Sequence, residues 1–345
     1  MTRKSSLIKN IVCSNLRRLR SPYKITLAVT YKCNLKCEIC KIWKRAPSPE
    51  MDIAAIERVF KSLENLNWLD LTGGEITLRE DILDIVKVIL KNSRHLSIFH
   101  VSTNGQFPGT MELIAKEVQK YPVAPIINVS LDGPREVHDW LRGIPGAYEK
   151  SIETFVRLRK LAPGRCFLSC TLSRRNLEYI DIMLENLPKD ISGFDFTNLH
   201  FNLFHSSSHY YNNEEVDGVF GSDLAAIQKY LSLCRKGNLV KVFLENEYLK
   251  ELSRYLNGER FPVKCQALNA TCFIDPSGII FPCGMYGEPV GKLAENNYDF
   301  KRLWNDPNTF VIINKIDEKK CPGCCSPCEA YPAILGCVVK RFLKS

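Results

Sequence analysis

Short runs of apolar and β-branched residues alternate along the chain with longer segments whose apolar residues recur at helical spacing. The run "KITLAV" precedes the helical pattern "DIAAIERVFKSLENL", and "WLDLTGG" precedes "EDILDIVKVILKNS". The alternation continues through "LSIFHVSTNG", "PIINVSLDG", "CFLSCTLS" and "GFDFTNLHF", with helical patterns between them. Six predicted strands alternating with helices between Lys24 and Asn202 indicate parallel βα units.

This order predicts an α/β fold, namely a partial (β/α)6 TIM-like barrel with a small cysteine-rich C-terminal extension. An open doubly wound sheet is the alternative arrangement of the same units. Either fold places its chemistry on the loops at the C-terminal ends of the strands. The first four strands end there in a cysteine-rich loop, "TGGE", "STNG" and "SLDG".

Composition and pattern divide the chain into four predicted parts. Residues 1–24 form a basic amphipathic arm and residues 25–210 form the barrel core. Residues 211–260 read as a helical connector, and residues 261–345 form the cysteine-rich extension. The boundaries follow the end of the strand–helix alternation and the change in cysteine content.

The N-terminal arm carries seven Lys and Arg residues and no acidic residue. Its apolar residues fall roughly on one helical face: Leu7, Ile8, Ile11, Val12, Leu16 and Leu19. Such a face usually covers a protein core, so docking on the barrel is the first expectation. Peripheral contact with an anionic membrane through residues 1–24 is the second, and no nucleic acid partner is expected.

Fifteen cysteines in 345 residues are many for a chain without a recognisable secretory signal or a membrane-spanning apolar run. We therefore expect a cytoplasmic protein, with peripheral attachment to the inner membrane face as the variant. Thiols stay reduced in the cytosol, so metal binding or catalysis is favoured over disulfides.

The segment "YKCNLKCEICKIW" supplies three thiolates, Cys33, Cys37 and Cys40, within one short loop. Thiolates are soft ligands that favour iron–sulfur clusters, zinc or copper(I). Structural zinc sites close their shell with four ligands, whereas reactive sites leave a position open. The spacing favours an open iron–sulfur site, with zinc or coincidence as the alternatives.

CxxxCxxC directly after a strand, followed by "GGE", resembles the radical SAM superfamily. The resemblance implies that Cys33, Cys37 and Cys40 hold a catalytic 4Fe–4S cluster. S-adenosylmethionine would chelate the fourth iron and be cleaved reductively to a 5′-deoxyadenosyl radical. Ile39 stands where the family often has an aromatic residue, a departure that keeps an apolar wall.

The resemblance also implies a set of cofactor contacts. It places the methionyl amino group against Gly73, Gly74 and Glu75. Polar residues at the next strand ends are candidates for the ribose or carboxylate, with helix capping and turn formation as the competing roles: Ser102, Asn104 and Ser130. Arg142 in "HDWLRGIPG" is a candidate for the carboxylate, with a salt bridge to Asp139 or Glu136 as the alternative.

The extension resembles SPASM and twitch domains, which hold auxiliary 4Fe–4S clusters. "CQALNATCFIDPSGIIFPC" contains a hairpin signal that brings its outer cysteines together, and "CPGCCSPC" follows. We expect one auxiliary cluster, with two clusters or a structural zinc as alternatives. Its four ligands are drawn from Cys265, Cys283, Cys321, Cys324 and Cys328.

The first functional hypothesis is hydrogen abstraction from a peptide or protein, with electrons from a reductant such as a ferredoxin or flavodoxin. The second keeps the chemistry and changes the substrate to a lipid or another small metabolite. The third is a non-catalytic iron–sulfur protein for electron transfer. The loop "FNLFHSSSHYY" would lie over the barrel mouth, either touching substrate or serving as polar covering.

Overall fold

The computed structural model describes residues 2–216, 218, 223–233, 239–259 and 263–344, and of these only the backbone for 239–242 and 336–344. Cys234 and the side chain of Cys337 therefore lie outside the described part. The strands are β1 (Lys24–Ala28), β2 (Trp68–Thr72), β3 (Ile98–Thr103), β4 (Ala124–Ser130), β5 (Cys166–Leu172), β6 (Leu199–Leu203), β7 (Thr271–Ile274), β8 (Ile279–Phe281) and β9 (Gly291–Lys292). The helices are α1 (Arg3–Leu16), α2 (Ile53–Ser62), α3 (Ile82–Asn92), α4 (Pro108–Gln119), α5 (Arg135–Arg142), α6 (Ala147–Leu161), α7 (Ile180–Asp190), α8 (Leu224–Leu233), α9 (Leu239–Leu256), α10 (Phe300–Trp304), α11 (Pro307–Asp317) and α12 (Pro327–Lys344).

The six parallel strands of the predicted barrel are confirmed. The sheet runs in the order β6-β5-β4-β3-β2-β1-β7-β8-β9, with β1 to β7 parallel and β8 and β9 antiparallel. The sixth strand differs from its predicted position, since residues 196–198 form a 3₁₀ turn and the strand extends to Leu203. Asp195 accepts a hydrogen bond from the backbone N–H of Thr197 and so favours the turn.

The barrel interior is hollow, and polar side chains stand among apolar ones on its wall. Alternate residues of the strands line one cavity of about 1610 Å³, as the two-residue period of a strand requires. The interior residues of β3 are Ile98, His100 and Ser102, and β4 adds Asn128. A TIM barrel normally fills this space with bulky branched side chains, so the interior of this barrel is built to hold a ligand.

Two helices, α9 and α12, connect the barrel strands β6 and β1. His200 of β6 lies 3.9 Å from Glu245 of α9, which accepts a 2.8 Å hydrogen bond from Tyr331 of α12. On the other side, the Lys24 ammonium of β1 donates a 2.7 Å hydrogen bond to the backbone oxygen of Cys328 in α12. The connector and the extension thus complete the wall of the cavity.

The N-terminal arm docks on the barrel, and only part of the predicted apolar face contributes, since Leu7, Ile11 and Leu19 pack with Tyr23 and Ala270. The buried residues of α1 are polar, namely Ser6, Asn10 and Ser14, whereas Ile8 and Leu16 are 62% and 65% exposed. The amide of Asn67 explains this, because it accepts from Asn10 at 2.6 Å and donates to Ser6 at 3.1 Å. Within the part of the chain described, no helix is both long and apolar enough to cross a membrane.

We expect Asn67→Ala to lower the free energy of unfolding by about 1–3 kcal/mol, because it leaves buried polar partners of α1 unsatisfied. Asn314→Ala, on the exposed side of α11, serves as the control and should stay within about 0.5 kcal/mol of wild type. Anaerobic thermal unfolding followed by circular dichroism measures both variants. Equal midpoints for the two variants would show that this contact does not hold α1.

Candidate functional site

The cysteine loop after β1 is seated on the glycine pair after β2. The N–H of Gly74 donates to the Thr30 oxygen and that of Glu75 to the Lys32 oxygen, each at 2.8 Å. A Cβ on Gly73 would lie 2.4 Å from the Thr30 oxygen, and one on Gly74 would lie 2.2 Å from the Lys32 oxygen. Only glycine permits this approach of two backbones, so the pair fixes the start of the loop.

Two further segments hold the middle of the same loop. The N–H of Glu38 donates to the Leu141 oxygen at the end of α5, at 2.8 Å. The Asn213 amide, from the loop after β6, donates to the Ile39 oxygen at 2.9 Å. Ile39 itself packs against Leu141 and Phe204, which gives the expected apolar wall. The loop is therefore held from three directions.

The three thiols of this loop line the top of the cavity. Burial raises the pKa of Cys33 to about 11 and that of Cys40 to about 12, and it also raises that of Cys37. Backbone N–H groups two residues further on, from Leu35 and Ile42, hydrogen-bond the sulfurs of Cys33 and Cys40. Metal binding deprotonates such thiols, and N–H donors stabilise the resulting charge.

Arg142 extends from α5 to the cysteine loop and pairs with Asp132, not with Asp139 or Glu136 as the alternative supposed. Its guanidinium also lies 3.9 Å from the sulfur of Cys37. The buried Nε of Arg142 has no acceptor among the described residues. Guanidinium groups bind carboxylates in a forked geometry, so this orphaned donor fits a carboxylate ligand.

A neutral histidine, His138, orients the pair of Arg142 and Asp132. Burial holds the pKa of His138 well below its ordinary value, and its Nδ1 accepts a 2.9 Å hydrogen bond from the Asp132 N–H. The other carboxylate oxygen of Asp132 accepts from the Thr171 N–H at 2.9 Å. Asp132 therefore positions the guanidinium, and the neutral His138 in turn holds the main chain of Asp132.

The structure brings most of the predicted cofactor contacts to one cavity. The lining residues include Gly73, Gly74, Ser102, Asn104, Ser130 and Arg142. Glu75 is placed differently, since it is 1% exposed and its carboxylate accepts hydrogen bonds from Thr77, Thr103 and the Asn104 N–H. Its side chain links the ends of β2 and β3, and a role for Glu75 in cofactor binding stays a prediction.

Four tail cysteines lie close enough to influence one another electrostatically. Burial raises the pKa of Cys265 well above its ordinary value, and Glu329, Cys283 and Cys321 contribute. Burial likewise raises the pKa of Cys283, to which Cys324 contributes, and that of Cys324, to which Cys265 contributes. Three of these sulfurs also accept a hydrogen bond from the backbone N–H two residues further along the chain. The donors are Ala267 for Cys265, Met285 for Cys283 and Ser326 for Cys324.

Cys328 has different surroundings. Burial has the largest effect on the pKa of Cys328. Lys24, Asp70 and Glu329 also act on it, as does a hydrogen bond from the Ser326 side chain. Its thiol lines the barrel cavity.

Across the described residues, no three His, Cys, Asp or Glu side chains are arranged to bind one single metal ion. A 4Fe–4S cluster sets a different requirement, because each thiolate binds a separate iron.

A family model for the radical SAM superfamily matches residues 27–187. The match contains the cysteine loop, the glycine pair and the strand ends that share the cavity. The chain is a radical SAM enzyme. Its cofactors are S-adenosylmethionine and 4Fe–4S clusters, and its SPASM-type relatives imply auxiliary clusters as well.

Two curated relatives match nearly the whole radical SAM chain. It is 25% identical over 343 residues to an AdoMet-dependent heme synthase of Methanosarcina barkeri, covering 93% of each sequence. It is 23% identical over 347 residues to the mycofactocin maturase MftC of Mycobacterium tuberculosis, covering 94% of this chain and 81% of the maturase. The Streptococcus suis SuiB structure bound to S-adenosylmethionine aligns with a TM-score of 0.62 at 15% identity, covering 95% of this chain and 75% of SuiB. That likeness confirms the fold.

Sequence reasoning missed the groups deeper in this radical SAM barrel. Asp70 accepts hydrogen bonds from Lys24 at 2.9 Å and from Trp68 at 2.6 Å, and it contacts His100 at 3.0 Å. Asp132 was also missed, although it stands in the quoted "SLDG". The signal was present, because Asp70 and His100 are ionisable residues inside apolar strand patterns. Such residues occur where a strand faces a polar cavity.

We expect Gly74→Ala to lower the free energy of unfolding by about 1–3 kcal/mol, because the new methyl group overlaps the Lys32 oxygen. Gly109→Ala is the matched control, since a Cβ there meets no atom within 4 Å. Helix propensity predicts that this control is neutral or stabilised by up to about 1 kcal/mol. Anaerobic thermal unfolding decides, and equal stability of the two variants would contradict the close backbone approach.

Proposed function

We propose that the enzyme cleaves S-adenosylmethionine reductively at a 4Fe–4S cluster bound by Cys33, Cys37 and Cys40, and abstracts hydrogen from a peptide or protein. The observation that carries the proposal is a triply anchored cysteine loop opening into the cavity that also holds Arg142. When bound, the cluster and its nucleotide supply a 5′-deoxyadenosyl radical. The protein orients the reactants and excludes water.

The residues of the cavity divide the binding task between them. In this proposal the Arg142 guanidinium, held by Asp132, presents its free Nε to the cofactor carboxylate. Ser102, Asn104 and Ser130 offer short polar groups to the ribose, while the backbone of Gly73 and Gly74 faces the amino group. The Gly73 oxygen already accepts a hydrogen bond from the Tyr210 hydroxyl at 3.3 Å.

The proposed auxiliary cluster is held by Cys265, Cys283, Cys321 and Cys324. Their mutual electrostatic influence and the N–H donors on three of their sulfurs support this set. The domain boundary near residue 261 remains part of the proposal. An external one-electron reductant, such as a ferredoxin or flavodoxin, would supply both clusters. Membrane contact is left out, because α1 is docked on the barrel.

Peptide substrates are supported by the similarity to a mycofactocin maturase and to SuiB, which has also been solved with its precursor peptide SuiA. A second candidate is a tetrapyrrole, because the similarity to an AdoMet-dependent heme synthase covers 93% of both sequences. A cavity of about 1610 Å³ exceeds the usual ligand pocket of about 300–1,000 Å³. Its size is therefore compatible with either class beside the nucleotide.

We expect the anaerobically reconstituted enzyme to form 5′-deoxyadenosine from S-adenosylmethionine and dithionite, and Cys37→Ala to form none. Iron content should fall from about eight to about four per chain in this variant, because one of two cubanes is lost. Cys13→Ala, outside the cavity, is the control for thiol loss and should match wild type. A wild-type protein that binds iron but leaves the nucleotide intact would support the electron-transfer hypothesis instead.

The two substrate classes predict different responses to a low-molecular-weight extract of the source cells. For a peptide substrate, the extract should raise 5′-deoxyadenosine formation several-fold, and prior protease treatment should abolish the increase. For a tetrapyrrole, the stimulation should survive protease and follow the porphyrin absorbance during fractionation. Chromatography with mass detection measures both. Protease-resistant stimulation without porphyrin absorbance would favour another small metabolite or a lipid.

A further inference from the structure

Cys328 is a cysteine of the extension whose thiol faces the barrel interior. It is the second residue of α12 and has solvent-accessible surface that faces the cavity. Tyr331 and Leu335, on the same face of the helix, line the cavity with it, and so does Ser326 just before the helix. The thiol therefore shares a chamber with the three cysteines of the β1 loop.

The thiol belongs to a group of ionisable side chains rather than standing alone. The Lys24 ammonium binds the Cys328 backbone oxygen at 2.7 Å and the Asp70 carboxylate at 2.9 Å, and Asp70 contacts His100 at 3.0 Å. Tyr211 connects this group to the cysteine loop. Burial is the main cause that raises the pKa of Tyr211, and Cys328 and Cys40 raise it further. Tyr211 therefore lies near both thiols.

Two features separate this thiol from the proposed auxiliary ligands. Its electrostatic neighbours are Lys24, Asp70 and Glu329, none of which is a thiol, whereas the auxiliary ligands are influenced by one another as well as by Glu329. The hydrogen bond at its sulfur comes from the Ser326 hydroxyl, whereas Cys265, Cys283 and Cys324 receive a backbone N–H from two residues on. Burial raises the pKa of Cys328 to about 11, so the group carries its proton at neutral pH.

We propose that Cys328 is a hydrogen-atom donor to carbon radicals formed in the barrel cavity, an inference that rests on the proposed function. In this step the S–H bond breaks, a C–H bond forms on the radical carbon, and a thiyl radical remains on Cys328. One electron from the reductant that drives cofactor cleavage and one proton then restore the thiol. Lys24, Asp70 and Glu329 are the charged and titratable groups beside it that can relay this proton.

The donor role can be tested without knowing the substrate. Reconstituted full-length enzyme is incubated with S-adenosylmethionine and dithionite in D₂O, where the thiol exchanges to S–D. If Cys328 is the donor, uncoupled turnover should yield 5′-deoxyadenosine carrying one deuterium. Cys328→Ala and Cys328→Ser should lower the labelled fraction at least tenfold, because a serine O–H bond is too strong to donate. Cys13→Ala should keep the label.

Iron and sulfide content provides the readout that is independent of turnover. Cys328→Ala should keep the wild-type iron content, whereas Cys321→Ala, at a proposed ligand, should lose about half.

Unlabelled 5′-deoxyadenosine from wild type, a label that persists in both Cys328 variants, or iron loss in both would overturn the inference while the proposed function stands. Absence of any 5′-deoxyadenosine from wild type would overturn the proposed function, and this inference with it.

Discussion

The contact on which this site depends is the backbone-to-backbone approach between the loop after β1 and the glycine pair after β2. Main-chain hydrogen bonds of 2.8 Å join Gly74 to Thr30 and Glu75 to Lys32. Beneath them, the buried carboxylate of Glu75 collects donors from the ends of β2 and β3. A side chain in place of either glycine would push the cysteine loop away from the barrel mouth. The position of the thiols therefore depends on the two glycines.

The hollow barrel imposes a second requirement, because polar groups inside it are shielded from bulk water and need partners. Burial acts against the Asp70 carboxylate, but Lys24 and His100 outweigh it and hold its pKa below the ordinary value. Arg142 and Asp132 form a similar pair higher in the cavity. Such pairs contribute little net stability compared with an apolar core of the same volume. Their presence is better explained by what the cavity holds.

The sequence was enough to predict the six strands, the helices between them and the cysteine loop, because each rests on local periodicity or on a short motif. It did not predict that polar residues of α1, Ser6 and Asn10, are buried, since that depends on the Asn67 amide, which lies far away in sequence. The tail cysteines illustrate the same limit. Their spacing offers five candidate ligands, and only the fold turns Cys328 toward the cavity.

The compositional boundary near residue 261 does not interrupt the sheet. β7 pairs in parallel with β1, from Lys24 opposite Thr271 to Leu27 opposite Ile274, so the extension continues the barrel wall. The loop after β6 reinforces this link, because His209 binds the Cys283 oxygen at 3.0 Å and Tyr210 packs on Phe273. The tail cysteines are thus held at a fixed position relative to the cavity. Rigid placement matters for one-electron chemistry, in which reacting groups must stay close and correctly oriented.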